Sequence, residues 1–281
     1  MTARPPAGRF LVAAGLAGAL AAGLAGCSDP AGPASGSGSG EVERLRVEVI
    51  GSFPHDPGAF TQGLELHQGR LYEGTGLYGE SEIRVVVPET GQVEQVLPLP
   101  AEVFGEGLTL VGDRIWQLTW QEQTAFLRDR TTLVELDRVS YSGEGWGLCY
   151  DQPRDRLVMS DGTAVLTFRD PATFEPLGTV SVTRDGEPLV RINELECLGD
   201  QVWANVWMTD EIVRIDPETG RVGAVVDAAG LLPEDERAGA DVLNGIAAAG
   251  EGGAGGPAGE TFLITGKLWP TVFHVRFVPE R

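Results

Sequence analysis

Five stretches of this sequence repeat one pattern: a short apolar strand, a turn, and a second strand ending in Gly, Trp or Lys. They read QGLEL…RLYEGTG (62–76), EGLTL…RIWQLTW (106–120), WGLCY…RLVMSDG (146–162), NELEC…QVWANVW (193–207) and NGIAA…FLITGK (244–267). Their central apolar residues, Leu64, Leu108, Leu148, Leu195 and Ile246, are 44, 40, 47 and 51 residues apart. The first four units continue with a third and a fourth strand, as in EIRVVVPETG then QVEQVLPL and EIVRIDPETG then RVGAVVDA. Pro-Glu-Thr-Gly and Asp-Pro-Glu-Thr-Gly are turn chemistry between such strands. Four antiparallel strands in a unit of roughly 40–50 residues describe a β-propeller blade. The expected fold is therefore all-β, a five-bladed propeller of four-stranded antiparallel blades. The fifth unit has only three strands, and RLRVEVIGSF near the start can supply the fourth, closing the ring and covering open sheet edges.

Residues 1–43 are read as lying outside the fold. Arg4 and Arg9 are followed by an apolar run rich in Ala and Gly, which reads as a signal peptide over residues 1–26. The run is too short and too weakly apolar for a membrane span. Leu24-Ala25-Gly26-Cys27 resembles a bacterial lipobox, which implies a lipid on Cys27 and a cell-envelope lipoprotein. Ser28 after the cysteine leans, by the same resemblance, toward the outer membrane. SDPAGPASGSGSG then reads as a flexible tether within residues 27–43, leaving residues 44–281 as one domain.

The net charge of −20, with no basic stripe, argues against nucleic acid as a partner. Three histidines in no zinc-binding spacing argue against a catalytic metal. No Gly-x-Ser-x-Gly or P-loop occurs. Aligning the third and fourth units sets Cys149 against Glu196 and Cys197 against Tyr150. Adjacent strand positions face opposite ways, so a Cys149–Cys197 disulfide is possible but disfavoured.

In a hairpin, the start of the first strand and the end of the second share one end. Applied to the five units, this gathers Gln62, Glu106, Trp146, Asn193 and Asn244 with Gly76, Trp120, Gly162, Trp207 and Lys267 on one rim. The Gly-rich insert near residues 249–260 falls on the other side and is expected to be mobile. Trp116 and Trp203, mid-strand, are read as packing residues. Glu106 stands between two glycines, which would let a ligand approach closely. Glu144 is a lesser acidic candidate. Lys267 is the only lysine among otherwise arginine cations, a compact ammonium where a guanidinium fork would be larger. A rim with an acid, an ammonium, amides and three tryptophans is the candidate ligand pocket.

FTQGL, YEGTGLYGES, FGEGLT, YSGEGWGLCYD, INELE, VWANVW, LNGIA and FLITGKLWP together resemble the plant and bacterial type of glutaminyl-peptide cyclotransferase, from about Gly51 to the end of the chain. The resemblance implies a five-bladed propeller that converts N-terminal glutamine of peptides and proteins into pyroglutamate and ammonia, with no cofactor or metal in the chemistry. It implies Glu106 as the catalytic acid/base. It also implies Gln62, Asn193 and Lys267 as polar substrate contacts, and Trp120, Trp146 and Trp207 as pocket walls. A monomer is expected. Two other readings are compatible with the sequence. A propeller sugar-lactone hydrolase would need several carboxylate and amide ligands converging on the channel, and a non-catalytic lipoprotein scaffold would need no such rim.

Overall fold

A computed structural model of the chain describes residues 41–250 and 260–280. The expected signal peptide, the lipidation at Cys27, the tether up to Gly40 and most of the Gly-rich insert lie outside the described residues. Three antiparallel four-stranded sheets follow in chain order. The first holds β2 (Thr61–His67), β3 (Arg70–Thr75), β4 (Glu82–Val87) and β5 (Gln92–Pro98). The second holds β6 (Gly105–Val111), β7 (Arg114–Thr119), β8 (Thr124–Asp129) and β9 (Glu135–Ser140). The third holds β10 (Leu148–Asp151), β11 (Arg156–Met159), β12 (Val165–Arg169) and β13 (Pro176–Ser181). A small hairpin, β14 (Thr183–Arg184) and β15 (Glu187–Pro188), comes next.

The rest forms one eight-stranded sheet. It contains β16 (Ile192–Leu198), β17 (Gln201–Val206), β18 (Glu211–Ile215) and β19 (Val222–Asp227). It also contains β20 (Leu243–Ala248), β21 (Phe262–Gly266), β22 (Thr271–Pro279) and the N-terminal strand β1 (Glu43–Pro54). The expected closing strand does pair antiparallel with β22, from Leu45 opposite Pro279 to Pro54 opposite Thr271. It also pairs parallel with β19, from Glu43 opposite Ala224 to Arg46 opposite Asp227. The fourth and fifth repeats are thereby fused into a single sheet, where separate four-stranded units were expected. The extra pairing satisfies the backbone of β19 that an open edge would leave to water.

In each four-stranded sheet the first three strands are largely buried and the fourth is largely exposed. GEGLTLV of β6 is buried at six successive positions, because both of its faces meet neighbouring sheets. QVEQVLP of β5 and ELDRVS of β9 are mostly exposed and carry the charges, amides and proline that suit an edge. In the second, third and fourth repeats the turn between the third and fourth strands holds an aspartate whose carboxylate accepts backbone N–H groups. Asp129 Oδ1 accepts from Thr132 at 2.8 Å, Asp170 Oδ1 from Thr173 at 2.8 Å and Asp216 Oδ1 from Glu218 at 2.8 Å.

The first strands of the five repeats contact one another in order, β2 on β6, β6 on β10, β10 on β16, β16 on β20, and β20 back on β2. Their approach is too close for side chains at some positions. A Cβ on Gly107 would sit 2.6 Å from the Trp146 carbonyl oxygen, and one on Gly147 2.1 Å from the Asn193 carbonyl oxygen. This corrects the reading of the glycines around Glu106: Gly107 makes room for the next strand's backbone rather than for a ligand.

The geometry also reverses the expectation for the cysteines: Cys149 and Cys197 form a disulfide with Cα atoms 5.4 Å apart. Alternation holds within each strand, but β10 and β16 belong to different sheets. Successive sheets stack face against opposite face. Leu148 packs toward Trp116 and Leu118 of the preceding sheet, whereas Cys149 packs with Leu195 and Ala204 of the following one. Residues of opposite parity in neighbouring repeats are therefore the ones that meet.

Candidate active site

Gln62, Glu106, Asn193 and Asn244 each lie where an inner strand breaks register with its hairpin partner. The shifts fall between Thr61 and Gly63, Gly105 and Leu108, Ile192 and Leu195, and Leu243 and Ile246. Bulges re-aim side chains and are frequent beside active sites. Trp146 directly precedes Gly147 and β10. Trp120, Trp207 and Lys267 follow the ends of β7, β17 and β21.

All seven residues expected at the site line a single pocket of about 280 Å³: Gln62, Glu106, Trp120, Trp146, Asn193, Trp207 and Lys267. Phe60, Phe104, Met208 and Asp241 complete the lining. Glu106 is buried, 4% exposed, and accepts a hydrogen bond at Oε1 from Gln62 Nε2 at 3.0 Å. The Gln62 amide is turned that way by Asn244, whose Nδ2 donates to the Thr61 carbonyl at 3.0 Å and lies 3.4 Å from Gln62 Oε1. Burial raises the Glu106 pKa well above the ordinary carboxylate range. The Lys267 charge opposes this shift, while Glu144 and Glu122 add to it. Lys267 is pulled the other way. Burial lowers its pKa against the opposing attraction of Glu106 and Asp241. Its Nζ lies 4.8 Å from the centroid of the Phe60 ring, a cation–π contact in a desolvated setting.

The aromatic walls are fixed by one carboxylate. Glu144 Oε2 accepts from Trp120 Nε1 at 2.8 Å and from Trp146 Nε1 at 3.0 Å, while Oε1 accepts from Gln121 Nε2 at 3.0 Å. Partial burial works against ionisation of Glu144, but the donors of Trp146, Gln121 and Trp120 outweigh it and hold its pKa below the ordinary value. Trp146 meets Trp207 edge-to-face with centroids 5.4 Å apart, and Trp120 meets Phe104 at 5.5 Å. Glycines stand where these rings need space. A Cβ on Gly162 would come 2.6 Å from the Trp146 ring and one on Gly76 2.4 Å from that of Phe104.

The description "glutamine cyclotransferase" belongs to the family that matches residues 19–277 of this chain. A glutaminyl-peptide cyclotransferase of Arabidopsis thaliana is 40% identical over 253 residues, spanning 87% of this chain and 76% of its own. The chain belongs to the glutamine cyclotransferase family. The crystal structure of Myxococcus xanthus glutaminyl cyclase superposes with a TM-score of 0.76 at 38% identity, covering 86% of this chain and all of that one. Within this glutamine cyclotransferase, the residues that sequence reasoning missed are instructive. Phe60 and Phe104 immediately precede strands of the first two repeats, as Trp146 precedes β10, so the same hairpin geometry could have found them. Asp241 and Met208 lie in connecting segments, for which the repeat gives no register. Trp116 and Trp203 are buried, 1% and 2% exposed, as packing residues should be.

A second cavity, of about 560 Å³, is lined by Glu65, His67, Arg130, Tyr150, Glu196 and the disulfide among others. It has no tryptophan in its lining. Glu194, which occupies the glycine position of the fourth repeat, spans between strands. It accepts from the backbone N–H groups of Leu64 at 3.3 Å and Ile246 at 2.8 Å. Among the described residues no group of three or more His, Cys, Asp or Glu is arranged to hold a metal ion.

Proposed function

We propose that the tryptophan-lined pocket is where this enzyme cyclises N-terminal glutamine. Family membership supports glutaminyl-peptide cyclotransferase activity, with peptides or proteins bearing N-terminal Gln as substrates. The observation that carries the assignment of the site is that a buried acid, Glu106, and a buried amine, Lys267, line one pocket with three indoles.

The reaction needs no nucleophile from the protein. The substrate's neutral α-amine attacks its own side-chain amide carbon, forming the ring C–N bond, and the C–N bond to the amide nitrogen then breaks. One proton must leave the attacking nitrogen and one must reach the departing nitrogen. Glu106, held protonated by burial, donates to the leaving nitrogen so that it departs as ammonia. The resulting carboxylate takes the proton from the ring nitrogen, which restores the acid. The Gln62 bond occupies Oε1 and leaves Oε2 for this exchange. General acid/base work of this kind contributes roughly 10²–10⁴ in rate. Lys267 and Asn193 stabilise the negative charge that develops on the amide oxygen, a role worth about 3–4 kcal/mol by oxyanion-hole precedent. The indoles fold the flexible glutamine side chain into attack geometry and limit water.

The contact circuit of β2, β6, β10, β16 and β20 supports a five-bladed propeller whose last two blades share β1. Residues 1–26 and Cys27 fit export and lipid anchoring to the cell envelope, and the chemistry requires one subunit only. The direct test is incubation with an H-Gln-peptide, with and without chelator, alongside a lactone panel. Ammonia release and a chelator-insensitive mass loss of one ammonia from the peptide are expected. Lactone opening without cyclisation would overturn the reading.

A further inference from the structure

A buried chain of charges runs beneath the turn that carries Lys267. Arg84 Nη1 pairs with Asp56 Oδ2 at 2.8 Å, and Arg84 Nε donates to Glu73 Oε2 at 2.8 Å. Glu73 Oε1 accepts from Thr61 Oγ1 at 2.7 Å and lies 3.0 Å from His55 Nε2. His55 Nδ1 lies 2.6 Å from the carbonyl oxygen of Trp269. Glu73 is fully buried and His55 and Arg84 are nearly so. None of these four charged residues lines the pocket.

The partners settle the protonation of His55. A carbonyl oxygen can only accept, so Nδ1 must carry a hydrogen. Arg84 Nε and Thr61 Oγ1 both donate to Glu73, which burial disfavours as an anion but which His55 and Arg84 hold ionised, with its pKa pushed down to about 2, so that it can only accept. Nε2 must therefore carry a hydrogen as well. We propose that His55 is a buried imidazolium that positions the Lys267 turn, its two N–H groups tying the Trp269 carbonyl to Glu73.

The segment from His55 to Phe60 cradles that turn along its length. His55 N–H donates to the Pro270 carbonyl at 2.8 Å, and Leu268 N–H donates to the Ala59 carbonyl at 2.7 Å. The Phe60 ring lies under the Lys267 ammonium. Thr265 Oγ1 donates to the Thr271 carbonyl at 2.9 Å and lies 3.5 Å from His55 Nδ1. Loss of one imidazole proton would leave either the Trp269 carbonyl or the Glu73 carboxylate facing a bare ring nitrogen, and the turn would lose an anchor two residues from Lys267. The groups that set this equilibrium are Glu73, Arg84 and Asp56. Burial disfavours the cation and Arg84 opposes it, but Glu73 and the Trp269 carbonyl prevail, and the His55 pKa lies above the ordinary 6.5. The anchor is thus complete below the ordinary histidine pKa and is lost as pH rises through the raised one.

The inference rests on the role proposed for Lys267, and the experiment separates the two. The full chain has three histidines and one lysine, so ¹⁵N-histidine and ¹³C-lysine labelling give few signals. His55 is expected to show two protonated ring nitrogens at about pH 7, and the single lysine signal is expected to shift as His55 deprotonates. A neutral His55 at that pH, or a lysine signal flat through its titration, overturns the proposal whatever the activity. In kinetics, His55→Gln is expected to lose roughly tenfold to hundredfold in kcat with little change in KM. It should add nothing in a Lys267→Ala background. The same loss in both backgrounds would show that His55 does not act through Lys267. If Lys267→Ala itself retains full activity, the catalytic role of the lysine fails while the spectroscopic result still decides that of His55.

Discussion

Replacing both Cys149 and Cys197 by serine removes a covalent tie between β10 and β16 across a sequence separation of 48 residues. Loop-closure entropy for a loop of that length gives about 4 kcal/mol of stabilisation at 25 °C, by confining the unfolded chain. For a domain of this size that corresponds to roughly 10 °C in Tm. Activity at 25 °C is expected to survive, because the site ends of the same strands are joined independently. Gly147 N–H donates to Ser160 Oγ at 2.8 Å, and Ser160 Oγ donates to the Asn193 carbonyl at 2.7 Å. The assay is calorimetry of the oxidised protein, the reduced protein and the double variant, beside a thiol titration of the denatured, unreduced protein. Coincident Tm values for all three, or titration of both thiols without reductant, would refute the face-to-opposite-face stacking from which the bond is explained.

Glu144→Ala frees the indole N–H groups of Trp120 and Trp146, and a fall of about tenfold in kcat/KM, carried mostly by KM, is expected from Gln-peptide kinetics. Glu144→Gln keeps an acceptor oxygen but removes a charge that helps hold Glu106 protonated, so its alkaline limb in a pH–rate profile should move to lower pH. Lys267→Arg should lose most activity, because the fork does not fit a desolvated point-charge site over Phe60; steady-state rates at matched Tm check this. Burial pushes the Glu65 carboxyl up to about 7, opposed by hydrogen bonds from Thr109 and Leu110. A folded pKa above the unfolded one means stability present at acid pH and lost as pH rises through about 7; Tm measured across that range should fall, and Glu65→Gln should flatten the fall.

Most of the strand order and the pocket could be read from the sequence because both depend on local periodicity. Short apolar runs mark strands, Pro-Glu-Thr-Gly turns mark their ends, and the two ends of a hairpin coincide. That logic brought Glu106, Asn193 and Lys267, which are far apart in sequence, to one rim without any knowledge of contacts. What could not be read depends on how whole sheets stack. The Cys149–Cys197 bond follows from which face meets which. The parallel pairing of β1 with β19 follows from where β1 falls between two edges. The bulges at Gln62 and Glu106 depend on inner strands of neighbouring sheets crowding one another, which makes the flanking glycines a packing signal and not a ligand one. The His55–Glu73–Arg84 chain left no motif at all, since its members are joined only once β3, β4 and the segment before β2 have packed.

The central claim is that Glu106 carries the proton between the two nitrogens. The most direct measurement is ammonia release from an H-Gln-peptide by Glu106→Gln, with Tm recorded on the same sample. A loss of roughly 10²–10⁴ in kcat at unchanged or raised Tm is expected, since the amide removes only the titrating group from a buried position. Turnover near that of the unaltered enzyme would contradict the account.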